Sequence, residues 1–291
     1  MLRNSRPDGT LLRDLPHFTQ ILPYLITKRT DASIFLEQEF DVTHTLEYIR
    51  GAKGMHGDVV GLFAVCLCAG ARTIALRPRM NRFVSGYRYY QRNEILISFV
   101  VKRQLTDDGQ EFVVTIPLRP DETLATLAPK LKKYVIRARR GDGGTSDQTN
   151  ALLVKLPPLV LRAAVRILLG LDDLNMLPES FLKSLPFWAS AFVTNVGSIG
   201  IDAPLHHLFN AGTCGLFVAL GKIRKVLVPT EEGTVERAVM TVTFTFDDRI
   251  VDGIYCPRAV DLLRGFVEHP EQLEEPPELT PELLVELKLK A

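Results

Sequence analysis

The stretch FTFDDRIVDG, residues 244–253, gathers the residues of this chain best suited to proton transfer: Asp247, Asp248 and Asp252, with Arg249 between them. Burial and a neighbouring carboxylate each raise the pKa of an aspartate, which moves it toward the range of a useful base. A solvated turn could hold the same three acids without doing any chemistry. Histidine offers a second source of bases, and His206 and His207 stand side by side in IDAPLHHLFN. The four cysteines, Cys66, Cys68, Cys214 and Cys256, lack the paired spacing of a zinc site, and Cys66 and Cys68 fall in an apolar helix-like run. They are expected to be buried free thiols, and no metal is expected.

The elements that must position these residues follow from periodicity. Met240, Val242, Phe244 and Phe246 alternate with threonines, so the acids stand at the end of a strand with one buried face. Residues 191–197 and 214–223 read as two further strands, with a turn at EEGT before the third. A helix over 260–268 then follows, with Leu262, Leu263, Phe266 and Val267 as its apolar face.

Nearer the N-terminus, a short helix carrying Pro23 is expected over residues 18–28 and a strand over 34–42. Thr43 is placed as the N-cap of the next helix, and residues 58–76 form a buried helix that stops before Pro78. Phe83, Tyr87, Tyr89 and Tyr90 surround a turn at Ser85-Gly86. Strands over 95–101 and 111–117 are joined by an Asp107-Asp108-Gly109 hairpin. Thr123 starts a basic helix whose charges form a solvated face, and residues 141–149 form a polar loop.

Residues 151–190 differ in character and predict at least two amphipathic helices, with Val160, Ala164, Ile167 and Leu168 on one apolar face. A packed helical hairpin is expected there; a hydrophobic lid, or a surface for a protein or lipid partner, is the alternative. The acidic tail after residue 273 is expected to pack weakly or on a partner.

A chain of 291 residues with 46% hydrophobic content can bury a large core as a single domain. Its formal charge of +1 gives no global reason to bind nucleic acid or an anionic membrane, although a phosphate-bearing small ligand would need only a local patch. No window reaches the ~18 apolar residues of a membrane span. The N-terminus has no apolar leader region, so a cytoplasmic location is expected.

The order of the pieces PRMNRF and ISFVV, then FVTNVGSIG, then LFVALGKIRKVLVP, then MTVTFTFDDRIVDG and VEHPEQL resembles the catalytic core of the dihydrolipoyl acyltransferases of 2-oxoacid dehydrogenase complexes. That core shares a fold with chloramphenicol acetyltransferase. The resemblance implies an α+β, two-layer sandwich with a mixed sheet and helices. The domain spans 1–291, with an N-terminal extension at 1–17, a helical insertion at about 151–190 and a tail at 274–291.

The family's strand-end motif is D-H-R-x-x-D-G, whose histidine takes the proton from a thiol. Here Asp248 occupies the histidine position, Asp252 that of the structural aspartate that holds the site through an ion pair, and Gly253 that of the tight-turn glycine. The oxyanion-stabilising hydroxyl carries over to Thr194, flanked by Asn195 and Gly197. Asn195, Gly197 and Arg249 are the candidates for contacting coenzyme A or acyl-CoA, the implied co-substrate. The resemblance also implies a homotrimer or a higher multiple, with the active site between subunits, and no swinging lipoyl arm on this chain.

Aspartate has an ordinary pKa of ~3.9 against ~6.5 for histidine and reaches roughly 2 Å less far. It is a poor base for a thiol of pKa ~8.5. Impaired or non-standard acyl transfer is therefore expected, with His206 or His207 as replacement bases to consider. A non-catalytic trimeric scaffold, or an acyl-CoA or lipid-binding protein, is the alternative.

Overall fold

In this computed structural model, residues 6–56, 60–102, 111–140, 155–231 and 233–290 are described. The first half contains β1 (Gly9–Leu11), α1 (His17–Leu25), β2 (Ser33–Asp41), α2 (Thr43–His56), α3 (Leu62–Leu76), β3 (Arg82–Ser85), β4 (Arg88–Arg92), β5 (Ile95–Lys102) and β6 (Glu111–Leu118). The second half contains α4 (Leu124–Arg139), α5 (Pro158–Asp173), α6 (Glu179–Ser184), β7 (Ala191–Asn195), β8 (Leu216–Thr230), β9 (Gly233–Asp247), α7 (Tyr255–Glu268) and α8 (Pro281–Leu287).

Six strands form a mixed sheet in the order β2-β9-β8-β7-β5-β6. β7 runs parallel to both β5 and β8, and the remaining pairs are antiparallel. The threonine-spaced alternation of β9 sets its two faces apart. Met240, Val242, Phe244 and Phe246 join the main core with Val218 and Leu220 of β8, whereas Thr243 and Thr245 face the other side. α3 is apolar on nearly every side and buries against this sheet, as expected for a helix with no polar stripe. Burying a side chain such as Phe40 or Leu67 contributes ~1.5–3 kcal/mol, so this face dominates the stability.

The opposite face carries a smaller cluster of Phe192, Leu208, Cys214, Phe217 and Ala219, with Phe187 and Phe209 packed on it. Phe192 stacks on Phe217 at 5.4 Å between ring centroids. The segment leading to Leu208 lies across this face, because Thr243 Oγ1 donates to the Pro204 carbonyl and Thr245 Oγ1 to that of His206.

Several boundaries shift from expectation. The helix expected from residue 58 starts at Leu62, and β8 continues past residue 223 to Thr230. Thr43 does not cap α2: its hydroxyl accepts the Ala238 N–H of β9 at 2.8 Å, while Asp41 Oδ1 accepts the Thr43 N–H at 3.0 Å. Thr123 does cap α4, with Thr126 reciprocating in a capping box. The Asp107-Asp108-Gly109 hairpin and the 141–149 loop lie outside the described residues.

Residues 6–11 are an integral part of the structure and not a loose extension. β1 pairs with β4, and β4 with β3, in a second, antiparallel sheet. Arg6 is buried and donates to Asp8 at 2.8 Å and to Asp172, at the end of α5, at 2.8 Å. Asp172 also accepts the Trp188 indole N–H at 3.1 Å. The β3–β4 hairpin turns through Gly86 (φ 54°) and Tyr87 (φ 62°), the left-handed pair that a two-residue turn of this hand requires. A Cβ on Gly86 would lie 2.3 Å from the Asp173 carbonyl, so glycine is also what lets α5 dock there.

That docking decides which side of α5 is buried. Leu168 and Leu171 pack beside Leu177, Leu182 and Trp188, whereas Val160 and Ile167 are exposed. The face expected to hold Val160, Ala164, Ile167 and Leu168 together is therefore split. Apolar residues line both sides of the helix, and the Asp172 anchor fixes its rotation.

The C-terminal tail packs on its own chain and not weakly. Leu287 is fully buried, and Glu286 pairs with Arg82 at 3.2 Å. Asn93 joins residues near both limits of the described chain: its amide donates to the Pro7 carbonyl at 3.1 Å, and its carbonyl accepts the Lys290 N–H at 2.9 Å.

Candidate active site

The strand-end acids are separated by their surroundings. Asp247, the last residue of β9, is 1% exposed and accepts from Arg249 Nε at 2.8 Å and Nη2 at 2.6 Å. Arg29 approaches the same carboxylate at 3.5 Å and donates to the Phe209 carbonyl at 2.9 Å, while Arg249 Nη1 donates to the Ile26 carbonyl at 3.0 Å. One buried carboxylate thus ties the end of β9 to residues 26–29 and 209. Of the three acids, Asp247 makes the buried ion pair, whereas the pair at Asp252 lies at the surface. Arg249 is spent on this knot, which leaves little of it for a ligand.

Asp248 stands on that rigid base. Its N–H donates to the Ala32 carbonyl at 2.8 Å, while its side chain is exposed at the apex of the turn. Partial burial, and then the charge of Asp247, raise its carboxyl above the ordinary aspartate value. Ile250 and Val251 turn into the core, and the chain emerges again at Asp252.

Asp252 Oδ1 accepts the N–H groups of Ile254 at 3.0 Å and Tyr255 at 2.7 Å, which caps α7. The Tyr255 and Ile254 hydrogen bonds hold its carboxyl below the ordinary range. Arg79 is 3.9 Å away, a contact at the surface. Gly253 has open space where a Cβ would stand, so this turn does not require glycine.

Thr194 is half-buried near the end of β7, followed by a turn built by its neighbours. Asn195 Oδ1 accepts the Ser198 N–H at 3.2 Å. A Cβ on Gly197 would meet the Gly221 carbonyl oxygen at 2.1 Å, so glycine is needed for this close approach to the β8 bulge. Asn195 and Gly197 therefore serve to shape the loop after Thr194.

The sheet keeps Thr194 and Asp248 apart within one chain. Thr194 pairs with Ala219, and Ala219 with Thr243. Two strand spacings of ~4.8 Å and five residues at ~3.3 Å put the two on the order of 19 Å apart. His206 stacks on Phe217 at 4.1 Å, with Nδ1 at 2.6 Å from the His207 carbonyl oxygen, and His207 Nδ1 is 2.9 Å from that of Leu208. Through Thr245, His206 lies about three residues, or ~10 Å, along the strand from the acids.

Sequence inspection missed a basic cleft beside the Asp252 turn. A space of ≈ 570 Å³ is lined by Arg77, Arg79, Arg258, Tyr255, Asp252 and Gly253. Arg77 lies over the Tyr255 ring at 3.8 Å, and Arg79 at 5.2 Å. The R-P-R spacing at 77–79 was visible, but its partners come from α7, far along the chain.

Comparison with known proteins reaches the same elements. Residues 189–274 match the family of 2-oxoacid dehydrogenases acyltransferase (catalytic domain). Dihydrolipoamide acetyltransferase from Azotobacter vinelandii superposes with a TM-score of 0.60 at 15% identity, covering 91% of this chain and 94% of that one. The chain has the acyltransferase fold.

The cubic core of the pyruvate dehydrogenase multienzyme complex shares the acyltransferase fold with a TM-score of 0.59, at 16% identity over 91% of this chain and 94% of that one. A truncated catalytic core of the 2-oxoacid dehydrogenase multienzyme complex from Thermoplasma acidophilum gives 0.54, at 18% identity over 89% and 98%. A comparison with curated proteins gives no match. The mixed sheet with helices on its main face agrees with the expected fold class. Among the described residues, no helix is long and apolar enough to cross a membrane.

Proposed function

We propose that this acyltransferase-fold chain binds a coenzyme A thioester and is impaired in acyl transfer because Asp248 stands where a base is needed. One observation carries the proposal: the turn is held rigidly, by Asp247 below and Asp252 beyond, yet the side chain it presents is a carboxylate. The acetyltransferase from Azotobacter is described through a serine, a histidine and an asparagine in its catalytic mechanism, the last two four positions apart. Asp248 and Asp252 have that spacing, and Thr194 supplies a hydroxyl.

In such a reaction the base takes the thiol proton as sulfur attacks the acyl carbonyl, and a hydroxyl steadies the oxyanion. The Asp248 carboxyl is raised, but it remains a carboxylate facing a thiol of pKa ~8.5. Loss of a competent base costs ~10²- to 10⁴-fold in rate. The separation of Thr194 from Asp248 supports a site completed by a second chain. We therefore propose a homotrimer or a multiple of it, in keeping with the cubic core that the fold builds elsewhere. The Arg77, Arg79 and Arg258 cleft suits the phosphates of the co-substrate.

The test combines light scattering, CoA binding and acetyl transfer from acetyl-CoA to dihydrolipoamide. We expect a trimeric mass, CoA binding weakened at least ~10-fold by Arg77→Ala/Arg79→Ala, and slow or absent transfer that rises in Asp248→His. Family-like turnover in the wild type would refute the impaired site. A non-catalytic scaffold is the second proposal, favoured by the exposed apolar side chains Phe18, Ile21, Tyr24 and Leu25 along α1. A trimer that binds no CoA and gains nothing from Asp248→His would establish it.

A further inference from the structure

A separate surface gathers three side chains with metal-binding chemistry. His44 lies in the first turn of α2, His269 follows the last residue of α7, and Glu271 stands in the 3-10 turn Pro270–Leu273. His44 Nε2 is 3.1 Å from Glu271 Oε2, and His269 Nδ1 is 3.5 Å from Glu271 Oε1. One donor atom from each residue lies within 4.8 Å of the other two.

Tetrahedral zinc with ligands at ~2.0–2.1 Å requires donors ~3.3–3.4 Å apart. The two histidine–glutamate separations, 3.1 Å to Oε2 and 3.5 Å to Oε1, run to opposite oxygens of one carboxylate, so each histidine already faces a Glu271 oxygen before any ion is added. The histidine–histidine edge needs to close by no more than ~1.4 Å, which side-chain rotation supplies. Two imidazoles and one carboxylate suit borderline first-row ions, whereas calcium and magnesium need oxygen-rich shells.

The supports are firm while the donors are accessible. Thr45, buried beside His44, donates its hydroxyl to the Val267 carbonyl at 2.6 Å, which fixes α2 against the end of α7. Pro270 and Leu273 are buried and hold the 3-10 turn, and the Tyr48 hydroxyl donates to Glu274 Oε1 at 2.8 Å. The side chains of His44, His269 and Glu271 are each about half-exposed, so an ion reaches them directly. A surface histidine–glutamate pair contributes only ~0–1 kcal/mol, so the contacts alone give little reason for three donors to converge. The sequence hides the convergence because 227 positions separate His44 from Glu271.

We propose that His44, His269 and Glu271 form a divalent transition-metal site with zinc as the best-matched ion and a fourth position open to water or to a donor from another molecule. Bound zinc would join α2 to the end of α7. The thiols compete poorly, since burial pushes Cys66 and Cys256 up to about 12.

The test is titration of tag-free, chelator-treated protein with ZnCl₂ by calorimetry, and with Co²⁺ by visible absorption. One ion per chain is expected, with affinity falling at least ~100-fold in His44→Ala/His269→Ala and ~10-fold in Glu271→Gln. Zinc at ~100 times its Kd should raise the melting temperature by ~4–5 °C in the wild type only. His44→Gln serves if the double variant does not fold. Equal zinc affinity in the variants, or no binding below ~1 mM, would overturn the site.

Discussion

Arg249→Met tests whether the Asp247 knot is the structural base of the strand-end turn. The substitution removes the donors at 2.8 and 2.6 Å and leaves a carboxylate that is 1% exposed, with Arg29 at 3.5 Å and the backbone N–H of residue 249 at 3.2 Å to offset it. It also takes away the donor to the Ile26 carbonyl. Removing one partner of a buried pair costs ~3–5 kcal/mol, and the remaining arginine keeps the expected loss at the lower end, about 3 kcal/mol. For a chain of this size that is a fall of ~5 °C in melting temperature. Urea unfolding should give a lower midpoint at an unchanged slope. Asp247→Asn/Arg249→Met should lose less than the sum of the two single variants, because no buried carboxylate is left without its bidentate donor, although Arg29 loses its acid partner. A loss below ~1 kcal/mol for Arg249→Met would refute the knot as the base of the turn.

Gly197→Ala should cost about 3 kcal/mol in urea, since its Cβ meets the Gly221 carbonyl at 2.1 Å, while Gly253→Ala should stay within ~0.5 kcal/mol. Asp252→Ala should lose ~1 kcal/mol of α7 capping. Because the folded-state pKa of Asp252 is depressed, that loss should be present above pH ~3.9 and vanish as pH falls through the lower folded value. Asp248 behaves oppositely: its raised carboxyl destabilises the folded form once ionised, so Asp248→Asn should be more stable than the wild type at neutral pH, and the gap should close below pH ~3.9.

The sequence carried the sheet well because its strands have clean alternation. Residues 240–246 announced β9, and the order of pieces around Thr194 and Asp248 pointed to the fold later found by superposition. What it could not carry depends on distant partners. Asp247, Asp248 and Asp252 look alike in the chain, and it takes the distant Arg29 together with the nearby Arg249 to single out Asp247 as the buried one. The rotation of α5 was hidden for the same reason, since its apolar residues suit two faces until Arg6 fixes Asp172. Three arginines around Tyr255 come from two separate segments, and no local pattern joins them.

Asn93 holds residues near both ends of the described chain, Pro7 through its side chain and Lys290 through its carbonyl. Residues 7 and 290 therefore lie side by side on one patch of the molecule. A short glycine-serine linker between residues 7 and 290 would close this part of the chain into a ring, and new ends could then be opened at a surface turn such as that between β8 and β9. Such a permuted chain should keep the Asn93 contacts to residues 7 and 290 and unfold as one unit.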